Sequence, residues 1–127
     1  MNEHPVLDEP GRSRAHGASA VVDLRAEGEA LVEEARSTGG CRAVRAVVRQ
    51  PGQSLILLGL PAGGGLPEHD APGPASLLCL SGRVTLSSEG TSHTLAAGTA
   101  CVIPSERHQV TAAVDSVCLL TLSLPDP

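Results

Sequence analysis

Two histidines, His69 and His108, carry the chemistry this chain could do, because each ends the same local pattern. His69 lies in Gly63–Gly82, GGGLPEHDAPGPASLLCLSG: a glycine-rich turn, an isolated histidine, two prolines, then an apolar strand closed by glycine. His108 lies in Gly98–Val110, GTACVIPSERHQV, with a glycine turn, a β-branched strand, a proline and then a histidine on a new strand. Together they describe a small β-barrel in which the two rings can meet. Imidazole titrates near neutrality, so a buried pair suits proton transfer or polar anchoring in a ligand pocket. A lone histidine is more commonly a mouth residue bonded to backbone; the shared placement of these two raises them above that. His93, on an alternating hairpin, and His4 and His16, near the N-terminus, read as solvated.

Other chemistries find little support. Ser76, Ser81 and Ser105 stand in no GxSxG context, and Gly63–Gly65 is followed by no GK[ST], so it is no phosphate loop. Cys41, Cys79, Cys101 and Cys118 form no CxxC pair and read as reduced, hydrophobe-like residues. A net charge of -5 and the absence of Phe, Tyr and Trp argue against a nucleic-acid partner, which needs phosphate-binding cations and stacking rings. Any pocket is therefore walled by aliphatic side chains. No run of apolar residues is long enough for a membrane span and the first residues, MNEHPVLDEPGRSR, lack a secretory pattern; a cytoplasmic protein without a membrane partner is expected.

The elements that must position the histidines follow from periodicity. At 127 residues the chain suits one domain. Residues 1–18 are polar and are expected to be a disordered tail. Residues 19–40 hold an amphipathic helix, with Val21, Leu24, Leu31, Val32 and Ala35 as its stripe, Asp23 as N-cap and Gly39–Gly40 as its end. Residues 41–124 are expected to be the β-barrel domain. In CRAVRAVVRQ, Arg45, Val47 and Arg49 alternate with Val44, Ala46 and Val48, predicting a strand with one wet face. SLILLGL, LLCL and VCLLTL are apolar on both faces, so the helix or a second subunit must cover them; a homodimer is expected. Arg83–Ser88, Thr91–Leu95, Ala100–Ile103 and His108–Ala113 complete eight or nine short strands, as in a closed sandwich or barrel. Positive-φ turns account for the glycines at 63, 64, 65, 82, 90 and 98.

The spacing also resembles a known family. Gly63, five residues, His69, one residue, Ala71, three residues, Ala75, six residues and Gly82 match the first cupin motif; Gly98, five residues, Pro104 and then His108 resemble the second, with a loop one residue shorter. The resemblance covers about residues 41–123 and extends to small single-domain bacterial cupins. It implies an all-β fold, the cupin-type double-stranded β-helix (jelly-roll barrel), with the short N-terminal α-helix packed outside.

In metal-dependent cupins the first motif supplies two histidines and a glutamate and the second a further histidine. Carried over, these fall on His69, Ala71, Ala75 and His108, so two of four ligands are methyl groups. Cys79, sharing parity with Ala75 and Leu77, and Glu106, in the loop before His108, are the side chains that could complete a site for a divalent metal (Zn, Fe, Mn or Ni). Three readings stand: a small-molecule-binding cupin anchored by His69, His108, Gln109 and Cys79 with weak or no metal; a metal-dependent or histidine acid–base enzyme, such as an isomerase, cyclase or dioxygenase, on a small polar metabolite; and a dimeric interaction module with a vestigial cavity.

Overall fold

In the computed structural model, which describes residues 21–69 and 73–123, helix α1 spans Leu24–Ser37. The expected tail, residues 1–18, lies outside the described residues. Asp23 stays extended and its carboxylate accepts from the Ala26 amide at 3.1 Å, satisfying one of the donors a helix leaves open at its start. Because the cap fixes the start there, Val21 precedes the helix and is 95% exposed. The buried stripe is instead Gly28, Leu31, Val32 and Ala35.

Nine strands follow: β1 Ala43–Gln50, β2 Gln53–Leu60, β3 Gly65–His69, β4 Ala75–Ser81, β5 Arg83–Ser88, β6 Thr91–Ala96, β7 Thr99–Val102, β8 His108–Ala112 and β9 Ser116–Leu122. They form two facing antiparallel sheets, β1-β2-β9-β4-β7 and β3-β8-β5-β6, rather than one closed ring. β3 is absent from the strands that periodicity predicts. Pro67 and the glycines around it blur its pattern, yet β3 pairs with β8.

Alternation sorts the side chains into two cores. Between the sheets lie Ala46, Ile56, Leu58, Leu77, Cys79, Leu86, Val110 and Cys118; outside the larger sheet, under α1, lie Ala43, Val47, Leu57, Val117 and Leu119. The doubly apolar strands β2, β4 and β9 are thus explained, since one face meets the opposite sheet and the other meets the helix cluster. Two glycines let α1 come close. A Cβ on Gly59 would stand 2.5 Å from the Val32 amide nitrogen, and one on Gly28 would strike the Val117 side chain. Gly64 has a similar role rather than a positive φ, since a Cβ there would meet the Cys41 carbonyl.

The wet face expected on β1 is corrected. A register shift between Ala46 and Val48 brings both Val47 and Val48 to the helix side. Arg45 shares that side, only 17% exposed, and pairs with Glu27 and Glu34 of α1. Its alternation with valines marks a helix-covered surface, not solvent.

Candidate functional site

Strand ends decide what can meet. β3 and β9 end, β4 and β8 begin, and the β1–β2 and β5–β6 turns close at one end of the sandwich, here called the mouth. On the smaller sheet, His69 and His108 are direct backbone partners, His108 pairs with Ser88, and Ser88 pairs with Thr91. Residues opposite one another across a ladder share a face, so His108, Ser88 and Thr91 form one polar row. The alternation of β8 fixes its direction: His108, Val110 and Ala112 are buried whereas Gln109 and Thr111 are exposed. The row therefore lies on the inner face.

His108 is 2% exposed. Its Nδ1 lies 3.0 Å from the Glu106 carbonyl oxygen. Since a carbonyl only accepts, Nδ1 carries the proton, and in the neutral ring Nε2 carries the lone pair. The short Pro104–Arg107 loop makes this geometry, because it turns the Glu106 carbonyl back toward the ring that follows two residues later. Ser88 and Thr91 hydroxyls lie 3.0 Å apart and extend the row across the β5–β6 hairpin. Sequence reasoning missed both, although the two-residue Glu89-Gly90 turn fixes their pairing.

The larger sheet supplies the apolar half of the mouth. Ser54, Leu122 and Ala75 are ladder partners at that end. Ser54 is buried among them, and Ala75 faces inward with Leu77 and Cys79. A hollow of about 400 Å³ opens at the rim of this sheet, with Ser76, Val102 and Thr121 of its outer face beside Ala75 and Ile103 among the described lining residues and none from the smaller sheet. Its size suits a small molecule.

Three sequence-selected residues are placed elsewhere. Gln109 is exposed on the outer face, because its parity is opposite to that of His108. Glu106 is exposed, and it is its main-chain carbonyl that touches His108. Cys79 does face inward, but four residues separate it from Ala75, about 13 Å along a strand. There it pairs with Cys118 instead of reaching the mouth. Ala71 lies outside the described residues. His93 is exposed, as expected, yet it is the partner of inward-facing Leu86, one step from the polar row.

Among the described residues the donor set does not make up a divalent-metal site. Ala75 puts a methyl group where the cupin motif has its carboxylate, and neither Cys79 nor the Glu106 side chain stands in for it. Among the described residues no three His, Cys, Asp or Glu side chains come together as ligands.

No family model and no curated protein matches the chain. Solved structures do. A conserved protein of unknown function from Streptococcus pyogenes is 19% identical, with a TM-score of 0.68 over 94% of this chain and 100% of that one. An RmlC-like cupin from Desulfovibrio desulfuricans is 20% identical, with a TM-score of 0.61 over 88% of this chain and 97% of that one. KdgF from a Halomonas species is 19% identical, with a TM-score of 0.57 over 65% of this chain and 80% of that one. At such low identity the likeness is one of backbone alone: the chain has the cupin fold.

Proposed function

We propose that the protein binds a small molecule at the mouth of the sandwich, anchored by His108 and His69, without a resident divalent metal. One observation carries this reading: a nearly fully buried imidazole at the inner end of β8, with its tautomer fixed by the Glu106 carbonyl. Burying a polar ring there costs stability unless its bonds are satisfied. Ser88 and Thr91 add hydroxyls that both donate and accept, while Ala75, Ile103 and Leu122 offer apolar contact. The ligand class that fits is a small metabolite with an apolar body and a polar group.

A thermal-shift screen of small metabolites against the full chain tests this. Compounds that raise the melting temperature should lose their effect in His108→Leu and His69→Ala; equal shifts in wild type and both variants would overturn the reading. The metal alternative has its own arm. Ala71→His combined with Ala75→Glu should create Ni(II) or Co(II) binding that wild type lacks, measured by calorimetry, and equally tight binding by wild type would refute the metal-free site. A second reading is proton transfer between the two histidines across a bound substrate, favoured by their direct pairing on β3 and β8. It requires turnover that disappears in the same histidine variants.

A further inference from the structure

Away from the mouth, the larger sheet holds two thiols the site does not use. Cys79 on β4 and Cys118 on β9 are direct antiparallel partners. Both are fully buried and both face the space between the sheets. Direct partners in an antiparallel ladder have Cα atoms about 4.5–5.5 Å apart, within the range of about 4.4–6.8 Å that a disulfide spans. The thiols already touch: Cys118 hydrogen-bonds to Cys79, and the Cys79 thiol donates to the Ser81 carbonyl at 3.4 Å.

The surroundings give this pair a route for reagents. The β4–β9 register shifts between Cys79 and Ser81, so the ladder is interrupted immediately beside the thiols. On the other face of the same interruption lies a groove of about 260 Å³ lined by Leu24, Arg25, Glu29, Leu80, Ser81 and Val117.

We propose that Cys79 and Cys118 form a modification site, converted to an internal disulfide by a low-molecular-weight disulfide when the β4–β9 ladder opens at its bulge. Cys79 loses its proton and attacks one sulfur of the reagent, giving a mixed disulfide and releasing one small thiolate. The Cys118 thiolate then attacks Cys79 Sγ, forming the protein bond and releasing the second thiolate. The two protein thiols are oxidised, the reagent's disulfide is reduced, and the two protons pass to the departing thiolates. Burial keeps both thiols protonated in the closed state, pushing Cys118 up to about 12. Oxidation is therefore limited by opening and is slow beside that of exposed Cys41.

The test uses the full chain carrying Cys41→Ser, which removes the exposed thiol. Folded protein is incubated with oxidised glutathione, quenched in acid, alkylated and digested with trypsin; Arg83 and Arg107 place cuts between the two cysteines. A Cys79–Cys118 linked peptide is expected, with a melting temperature raised on the order of 10 °C by the closed loop and restored by dithiothreitol. Adding Cys101→Ser should change neither result, and Cys118→Ser should abolish the rise. Alkylated Cys79 and Cys118 after prolonged oxidation, a link that forms only in urea, or a link without the thermal shift would each overturn the proposal.

Discussion

A single carbonyl organises His108. Replacing the ring with leucine keeps most of the volume but removes the Nδ1–Glu106 bond, so His108→Leu should lower stability by about 1 kcal/mol, read from the urea midpoint, while eliminating ligand-induced stabilisation. Cysteine sets a second residue-scale expectation. The chain has nine Arg, no Lys and no Tyr, and guanidinium does not deprotonate in this range; thiols alone among its side chains titrate in moderate alkali. Desolvation, aided by Cys79, holds Cys118 up to about 12 from 9.0, and burial also raises Cys79 and Cys101. A raised folded-state value means the folded protein retains protons that the unfolded chain has lost. The part of the stability that Cys118 contributes is thus fully present below about pH 9 and falls toward about pH 12, at up to about 1.4 kcal/mol per pH unit. Urea midpoints across that window should fall less steeply in Cys118→Val. Strand β8 with His108 at its head was legible from the sequence, whereas β3, which carries His69, was not, because Pro67 and the nearby glycines mask its alternation. The Cys79–Cys118 pairing was not, because β4 and β9 are far apart in sequence and only sheet order makes them neighbours.

Among the elements, α1 was the most legible, from its stripe and the Asp23 cap. Its seat was not. Gly59 sits inside an apolar run whose side chains all seem to belong to one core, and nothing in SLILLGL says that a helix backbone rests on its glycine. The contact is nonetheless decisive: Gly59→Val, with Cβ 2.5 Å from the Val32 nitrogen, should cost about 2–3 kcal/mol through overpacking or lift the helix. Far-UV circular dichroism during urea titration reads either outcome, whereas an unchanged midpoint would refute the close seat. β1 misled for a related reason. Arginine alternating with valine looks like an exposed face, but Arg45 is drawn under α1 by Glu27 and Glu34, and its aliphatic stem packs where its charge is matched.

For the whole molecule, the strand count and two-faced burial pattern were readable from sequence, while the division into two open sheets came from pairing no local pattern encodes. Helix α1 covers β1, β2 and β9 but stops short of β7. There Val102 is 75% exposed beside Ala100, with Leu78 partly buried on the next strand. The homodimer we propose places a second copy on this strip, since short β7 is also a sheet edge. Sedimentation at micromolar concentration should show a dimer that Val102→Glu converts to monomer; a wild-type monomer would remove the proposal.

Asp115 lies at the opposite end from the mouth, in the turn between β8 and β9. Its carboxylate takes a bond from Arg36 at the tail of α1 and another, at 2.9 Å, from the Ala62 amide between β2 and β3. Three stretches of chain are knotted there by one side chain. The base is a purse drawn shut by one carboxylate, so in Asp115→Ala the amide hydrogens of the β2–β3 and β8–β9 turns should trade with solvent sooner than in wild type.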